Sequence, residues 1–367
     1  MISKPHETAM PHLDVFMTTG NQTAAAPQPR SAGCRVTIGM PVYNGERHIG
    51  RAIRSILAQT YRDFQLLVVD NASTDRTAEI VQDFARQDPR VILHRNPQNI
   101  GAHPNFNRAF TLSDTEYFKW AAHDDEIKPT YLETCIRILD ADPTVALAHT
   151  FVEEIDDEGN VCRVYRPLPP EAAAPDRLDR FRGRVMRRGW CTELFSVMRS
   201  ENVRTTKLLA SFAAADLSFL TELTLTGRVV VAPEPLFRNR RHPLRYTDSV
   251  FEQALDKNKR RTILAWHDTS KRGHRWSYLH WWAFFLAYFP MIRRHIASRR
   301  ERLRYYGVAF RWALRRNNRL DLAKDLLFLV SPGLHDRVVR QQHRRAAAKA
   351  KQAEAAAGPH DALSAAH

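Results

Sequence analysis

Short apolar runs alternate along the first part of the chain with segments whose apolar residues recur at helical spacing. In one such segment Leu132, Cys135, Ile136 and Leu139 occupy positions i, i+3, i+4 and i+7, which predicts a helix. Alternating strands and helices are typical of right-handed β-α-β units and a largely parallel sheet. The predicted buried strands span residues 35–40, 64–70, 91–95 and 116–122.

Polar residues cluster directly after each of these predicted strands. Parallel strands end at the same edge of a sheet, and open α/β sheets bind ligands outside that edge. The four clusters therefore predict one shared site. They are Pro41 to Asn44, Asp70 with Asn71, Asn96 to Gly101, and Asp124 with Asp125.

The pair formed by Asp124 and Asp125 is the most distinctive of these clusters. Like charges a few Å apart disfavour joint ionisation, so adjacent carboxylates are favoured where a cation or a positively charged ligand offsets the repulsion. The pair follows a predicted strand and precedes a helix that is expected to open near Pro129. A solvated surface turn is the alternative interpretation.

The second half of the chain is less regular. An acidic turn at residues 156–160 predicts a hairpin that joins residues 145–155 to residues 161–166. A helix is expected to begin around Asp216 and to end at Gly227. Residues 228–237 form a further predicted strand, whose prolines suit the edge of a sheet.

The formal charge of +15 lies wholly in residues 251–367, because 31 basic and 31 acidic residues cancel over residues 1–250. Residues 276–292 are rich in aromatic side chains and an arginine cluster follows at once, a composition typical of a helix at an anionic membrane surface. A helix packed on the rest of the protein is the alternative, and the run is short of the roughly 20 residues that span a bilayer. No nucleic-acid-binding motif occurs, so nucleic acid is not an expected partner.

The four cysteines are scattered without C-x-x-C spacing, which argues against a disulfide framework or a zinc site and fits a reducing compartment. No apolar run near the N-terminus is long enough for a signal peptide. We therefore expect a cytoplasmic protein with a disordered leader at residues 1–34 and a disordered tail at residues 341–367.

The chain resembles the family 2 glycosyltransferases over residues 35–245. The matching text, in the family's order and spacing, consists of VTIGMPVYNGERHIGRAIRSILAQTYRDFQLLVVDNASTD, NPQNIGAHPNFNRA, HDDEIKP, AADLSFLTELTLTG and RNRRHP. The resemblance implies the α/β fold called GT-A, a mainly parallel, Rossmann-like sheet flanked by helices that binds a nucleotide-sugar donor. Residues 246–340 would then form a basic, aromatic-rich helical extension.

The resemblance also implies roles in donor binding. Asp70 would accept a hydrogen bond from the nucleotide base, with a helix-capping aspartate as the alternative. Asn99 would shape a loop near the sugar or the phosphates, although an ordinary β-α turn is an equal interpretation. The base and the ribose would be bordered by Pro41, Val42, Tyr43 and Glu46.

By the same resemblance, Asp124 would hold Mg²⁺ or Mn²⁺ on the donor diphosphate. These cations prefer carboxylate and phosphate oxygens and need few protein ligands. The family's metal motif often has an aspartate two residues earlier, and this chain has Ala122 there. The metal would then rest on Asp124, with Asp125 or His123 assisting, and strict metal dependence is left open.

Asp216 is the residue that the resemblance assigns as general base for the acceptor hydroxyl. The family usually has a second acid just before it, and this chain has Ala215. A carboxylate favoured by the helix dipole is the alternative, whereas displacement assisted by one base would invert the anomeric centre. Arg240 and His242 would lie near the leaving diphosphate, or else begin the basic C-terminal surface.

The leading hypothesis is an inverting glycosyltransferase that acts on a glycan or lipid-linked acceptor at the inner face of the plasma membrane. A nucleotidyltransferase is disfavoured because MPVYNGERH lacks the Gly-rich basic loop of that class. A catalytically degenerate scaffold at the membrane is the non-enzymatic alternative, which Ala122 and Ala215 favour and the three retained aspartates oppose.

Overall fold

Four parallel strands and the helices between them form the first half of the fold. The structure, a computed structural model, describes residues 33–168, 170–186, 191–212, 214–242, 267–271, 279–331, 333–335, 337–338 and 341. The predicted leader and tail therefore lie almost wholly outside the described residues. The first half consists of β1 (Val36–Val42), α1 (Ile49–Leu57), β2 (Phe64–Asp70), α2 (Thr77–Gln87), β3 (Val91–Arg95), α3 (Ala102–Thr111) and β4 (Tyr117–Trp120).

The predicted β-α-β alternation is confirmed over this half. β1 pairs in parallel with β2 and with β4, and β2 pairs in parallel with β3. The register sets Val42 beside Asp70 and Asp70 beside Arg95, so the carboxyl ends of three strands are level. The shared edge predicted from the polar clusters is therefore present.

The second half adds strands of mixed direction. It consists of β5 (Glu126–Ile127), α4 (Tyr131–Ala141), β6 (Val145–Ile155), β7 (Val161–Tyr165), α5 (Arg177–Val185), β8 (Val197–Arg199), α6 (Ser200–Arg204), α7 (Ala215–Thr226) and β9 (Arg228–Arg240). In the described part of the chain nine strands form one sheet in the order β3-β2-β1-β4-β8-β6-β9-β5, with β7 on β6. The predicted hairpin is the antiparallel pair of β6 and β7.

β9 is the second strand from one end of the sheet, and its prolines precede the two residues that pair with the last strand, β5. It pairs in parallel with the long strand β6 on one side and, at Phe237 and Arg238, antiparallel with the two-residue strand β5 on the other. The register between β6 and β9 shifts at Phe151, which lies opposite Pro235. A bulge accommodates the missing proline N–H, and at Pro235 the described pairing of β9 is with β6 alone, as suits a proline.

Helices cover both faces of the sheet. One apolar core packs α1 and α4 against the sheet and includes Ile53, Ile136 and Met40. A second core on α3 and α7 includes Phe110 and Phe219. Because both faces are buried, β1 and β2 are continuous apolar runs, as parallel strands of α/β proteins usually are.

Three further helices, α8 (His280–His295), α9 (Arg299–Leu314) and α10 (Arg316–Val330), share a third core with α5 and α7. Phe284, Phe285, Tyr288, Met291 and Ile292 of α8 are buried in it. The aromatic run is therefore largely a packing element in this fold, and its buried face is not available to a membrane. None of the helices in the described ranges has both the length and the apolarity to cross a bilayer.

Candidate active site at the carboxyl edge of the sheet

The turn after β1 is held against the turn after β2. The backbone N–H of Asn71 donates to the carbonyl of Val42 (2.8 Å), and the N–H of Asn44 donates to the hydroxyl of Ser73 (2.9 Å). Asn44 has a φ of 52°, in the left-handed region that asparagine tolerates better than most residues. Local turn chemistry therefore brings the first two predicted polar clusters together.

Asp70 is fully buried at the end of β2. Its Oδ1 accepts a hydrogen bond from the N–H of Ser73 (3.0 Å), and its Oδ2 lies 3.2 Å from Nε of Arg95. No hydrogen bond to Oδ2 is formed within the described residues. One oxygen thus stabilises the turn, as in the capping interpretation, while the other retains capacity for a ligand.

The remaining residues predicted to border the base are divided between strand and loop. Pro41 and Val42 are buried within β1, and Tyr43 is 43% exposed. Glu46 accepts a hydrogen bond from the N–H of Arg76 (3.0 Å), and its own N–H donates to Asp75 (3.1 Å). Glu46 therefore joins the loop after β1 to the start of α2.

Asparagine side chains organise the turn after β3. The amide of Asn71 donates to Oδ1 of Asn99 (3.0 Å) and to the carbonyl of Gly101 (3.1 Å). The amide of Asn96 donates in turn to Oδ1 of Asn71 (3.0 Å) and to Oδ1 of Asn105 (2.8 Å). Asn99 is thus a structural member of the β-α turn, and its contact with a sugar stays a prediction.

Asp124 and His242 are brought together at the ends of β4 and β9. Nε2 of His242 lies 2.9 Å from Oδ2 of Asp124, and it donates because an ionised carboxylate can only accept. Burial acts to raise the pKa of Asp124, but the charge of His123 and the hydrogen bond from His242 outweigh it and hold the pKa below its usual range. The residue is an anion at neutral pH.

Asp125 points into the protein instead of joining Asp124. It is buried, and its carboxylate accepts hydrogen bonds from the amide of Asn239 (3.0 Å) and the N–H of Arg240 (2.9 Å). These bonds hold the end of β9 against the loop after β4. The repulsion expected between adjacent aspartates is relieved by turning the two side chains toward different partners.

Arg240 is also an internal residue, with a side chain that is 1% exposed. Its guanidinium donates to the carbonyls of Asp124 (3.1 Å), Asp156 (2.9 Å) and Asp157 (2.8 Å), and it pairs with the carboxylate of Glu126. The guanidinium of Arg240 therefore forms its hydrogen bonds and its ion pair with groups of the protein itself. Arg240 therefore positions the loops around Asp124, and its place near a leaving diphosphate stays a prediction.

His48 and Asp157 are residues of this region that the sequence did not indicate. The rings of His48 and His242 have centroids 4.7 Å apart, and Nε2 of His48 lies 3.4 Å from Oδ1 of Asp157. Burial, then the charge of His242, lowers the pKa of His48 to about 4. His48 lies within the matching text, GERHIG, but only the tertiary contact with His242 reveals its place.

The residues around Asp124 suit a metal ion that is coordinated mainly by the phosphates of a bound substrate and by few protein side chains. Within the described ranges no three His, Cys, Asp or Glu side chains are grouped to hold an ion. Oδ2 of Asp124 already accepts from His242, and both oxygens of Asp125 accept from Asn239. Mg²⁺ commonly uses one or two carboxylates together with substrate phosphates, so Asp124 alone fits that mode of binding.

Asp216 lies in the first turn of α7, as predicted. Its Oδ1 accepts from the N–H of Leu217 (2.8 Å), and its Oδ2 accepts from the thiol of Cys191 (2.9 Å). Burial raises the pKa of the Cys191 thiol well above its usual value, so the thiol stays a donor. Burial also lowers the pKa of His103, and the nearby charge of Asp216 opposes that shift.

Residues 267–271 of the basic extension reach the same edge of the sheet. Nδ1 of His267 lies 3.0 Å from Nε2 of His103, and the hydroxyl of Ser211 donates to Asp268. Gly101 has a φ of 91°, and a Cβ there would lie 2.8 Å from the Cα of Asp268. The extension thus contributes to the surroundings of the site, which its composition gave no reason to expect.

Comparison with known proteins identifies the architecture. Residues 37–199 match the family model described as Glycosyl transferase family 2. An uncharacterized glycosyltransferase of Methanocaldococcus jannaschii is 28% identical over 134 residues, which are 36% of this chain and 46% of that protein. Another, from Rickettsia typhi, is 31% identical over 145 residues, 39% of this chain and 44% of that protein.

A likeness to a solved structure supports the fold. The crystal structure of TarS residues 1–349 from S. aureus, in complex with UDP-GlcNAc, superposes with a TM-score of 0.50 at 16% identity, over 85% of this chain and 92% of that one. The GT-A fold expected from the sequence is confirmed. The chain spans less than half the length of the two curated relatives.

Proposed function

Because residues 37–199 match the family model described as Glycosyl transferase family 2, we propose that the protein transfers a sugar from a nucleotide-diphosphate donor to an acceptor hydroxyl. The observation that carries this proposal is the gathering of Asp70 and Asp124 at one edge of the sheet. Asp70 ends β2, and Asp124 lies in the loop that follows β4. Two acidic groups on the turns that flank the end of β1 suit the base and the diphosphate ends of one donor molecule.

The nucleotide base would lie against the turn after β1. Oδ2 of Asp70 is buried and lies 3.2 Å from Nε of Arg95, but it accepts no hydrogen bond inside the described structure, so it has the capacity to accept one from a ligand. A base edge that offers an N–H would satisfy it. Tyr43, exposed beside that turn, supplies a ring for the base or the ribose to pack on.

The diphosphate would lie near Asp124 and His242. Mg²⁺ or Mn²⁺ bound there would offset the negative charge that develops on the leaving nucleotide. The role of this chain is to hold the carboxylate of Asp124 ionised and oriented, which the hydrogen bond from His242 supports. Ala122 stands where the family often has a second aspartate. Asp124 and the phosphates of the donor would therefore supply the ligands of the metal.

Asp216 would take the proton of the acceptor hydroxyl. The N–H of Leu217 and the thiol of Cys191 each donate to one carboxylate oxygen and so orient the group, while the residue as a whole is half-buried. One base assisting a direct displacement inverts the anomeric centre. The acceptor would be a glycan or a lipid-linked saccharide, and a lipid-linked acceptor requires contact with the cytoplasmic face of a membrane.

A second candidate is a scaffold with the same fold but no transfer activity. Ala122 and Ala215 favour it, because they replace two acids that the family often has. This candidate predicts nucleotide binding without turnover, so binding and turnover must be measured separately.

The test has two stages. Thermal unfolding of the full chain with UDP-, GDP- and dTDP-sugars, each with and without Mn²⁺, should single out one nucleotide, because a ligand that binds only the folded state raises its stability. The selected donor is then incubated with the protein and acceptor extracts, and nucleotide diphosphate release is measured with product stereochemistry. Release above the Asp216→Asn background supports transfer, and binding without release supports the scaffold.

A further inference from the structure

Exposed apolar side chains are concentrated in the C-terminal helices. Eleven large apolar residues are exposed in the described part of the chain, and seven of them belong to α8, α9 and α10. A helix of a globular protein normally turns its polar face to water. The seven residues are Leu286, Leu303, Phe310, Leu314, Leu320, Leu326 and Val330.

α9 shows the arrangement most clearly, because both of its faces are apolar. Its inner face contributes Tyr305 and Trp312 to the third core. On the outer face Leu303, Phe310 and Leu314 are 67%, 51% and 70% exposed. Their spacing of seven and four residues sets them in one line along the helix, which we call the outer stripe of α9.

The outer stripe continues toward α8. The ring of Phe310 has its centroid 5.8 Å from that of Phe289, and also 5.8 Å from that of the buried Phe285. Leu286, one turn from Phe289 on α8, is 48% exposed. The apolar surface therefore spans two packed helices and is wider than a single row of side chains.

Arginines flank the outer stripe on one side. Arg300, Arg304 and Arg311 are exposed, and at about 100° per residue they fall together on the flank next to Leu303 and Leu314. None of the three forms an ion pair with another residue of the described ranges. The surface thus combines outward apolar side chains with a row of cations that carboxylates do not neutralise.

We propose that the outer stripe of α9 lies on an anionic lipid bilayer, with Leu303, Phe310 and Leu314 among the acyl chains. Arg300, Arg304 and Arg311 would then contact the headgroup phosphates. An amphipathic helix in the plane of the interface uses this combination of apolar side chains and flanking cations. The proposal gives the membrane partner of the proposed function a defined surface, and it moves the contact from the buried face of α8 to α9.

The charges favour a bilayer over a second copy of this chain. An antiparallel two-fold pair of α9 helices would place the arginine row of one copy on the same side as that of the other, since the same patch meets itself in a two-fold contact. Like charges so placed repel, whereas lipid phosphates neutralise the row. Self-association is therefore an outcome that the experiment must be able to detect.

The experiment is flotation of the full chain with vesicles of phosphatidylcholine alone and of phosphatidylcholine with phosphatidylglycerol, at low and at physiological salt. Wild type should float with the anionic vesicles, less strongly at higher salt. Leu303→Ser/Phe310→Ser/Leu314→Ser should lose at least about tenfold of the bound fraction under both conditions, because each apolar side chain contributes to insertion. Arg304→Gln/Arg311→Gln should also lose about tenfold, mainly at low salt.

Val161→Ser/Val164→Ser is the matched control, because Val161 and Val164 of β7 are 50% and 51% exposed. It should float as wild type does. Nucleotide-induced thermal shifts should be unchanged in all three variants, which separates failure of this proposal from failure of the proposed function. Wild type that stays at the bottom, or a triple variant that floats normally, overturns the proposal. So does a triple variant that changes the oligomeric mass in sedimentation without changing flotation.

Discussion

His242 donates a hydrogen bond of 2.9 Å to Asp124, which precedes it by 118 residues. The bond joins the loop after β4 to the end of β9. Both ends are brought there by the sheet, in which β5, directly after Asp125, pairs with β9. The less buried carboxylate of the predicted metal motif is therefore oriented by a residue from a distant segment.

The two adjacent aspartates should behave differently when each is neutralised. Asp124→Asn should abolish the Mn²⁺-dependent part of nucleotide binding with little change in melting temperature, because the charge is removed where the diphosphate is proposed to lie. Asp125→Asn is the matched control, and it should mainly lower the melting temperature, since its carboxylate accepts from Asn239 and Arg240. Thermal unfolding with and without nucleotide measures both effects. Unchanged Mn²⁺-dependent binding in the Asp124 variant would remove it from the site.

Asp216→Asn should slow transfer by roughly 10²–10⁴-fold, the usual worth of a general base, while donor affinity is kept. Cys191→Ala should cause a smaller loss in kcat, because it removes the thiol donor that orients Asp216. Cys191→Ser restores a donor and should recover part of that loss. The measurement is steady-state turnover at saturating donor. If Asp216→Asn weakens donor binding but turns over at the wild-type rate, the assignment as base is wrong.

Lys119 should make stability depend on pH in the alkaline range. It is buried in β4, its ammonium donates to the carbonyl of Trp120 (3.0 Å), and burial lowers its pKa to about 7 against opposing effects of Cys135 and Asp125. In the unfolded chain the pKa is about 10.4. Between these values the unfolded chain binds more protons, so the free energy of unfolding should rise with pH.

The variant Lys119→Met isolates this contribution. The wild type should gain stability relative to the variant by up to about 1.4 kcal/mol per pH unit as pH rises from 7 toward 10. Urea unfolding of both proteins at several pH values gives the difference directly. A difference that is constant between pH 7 and 10 would contradict the burial of a titrating ammonium at this position.

Gly101→Ala should destabilise the fold more than Gly159→Ala. Both glycines have positive φ, 91° and 99°, so both substitutions bear the cost of a left-handed residue, about 1–2 kcal/mol. A Cβ at Gly159 meets nothing within 4 Å, whereas one at Gly101 meets the backbone of Asp268 at 2.8 Å. Each substitution lowers the free energy of unfolding relative to wild type. The difference between the two losses therefore measures the packing of residues 267–271 against Gly101. Equal values would mean that this segment moves away at no cost.

The sequence by itself determined the first half of the fold and the edge where the site lies. Strands β1 to β4 are apolar runs set between helices with their own apolar spacing, and each signal is contained within about ten consecutive residues. Parallel pairing then follows from the right-handed crossover, and the polar clusters must meet because each follows a strand end. Most of the text that carries the family resemblance lies in this same half of the fold.

The tertiary structure alone decided what the individual polar residues do. Asp124 and Asp125 are neighbours with the same side chain, yet Asp124 accepts from His242, just after β9, and Asp125 accepts from Asn239, within β9. Composition suggested that Arg240 and the aromatic side chains of α8 lie on surfaces. Segments distant in sequence pack against Arg240 and against several of these aromatic side chains and bury them. The hydrogen-bond partners and the burial of these residues depend on contacts between segments that are distant in sequence. Local sequence patterns do not predict such contacts.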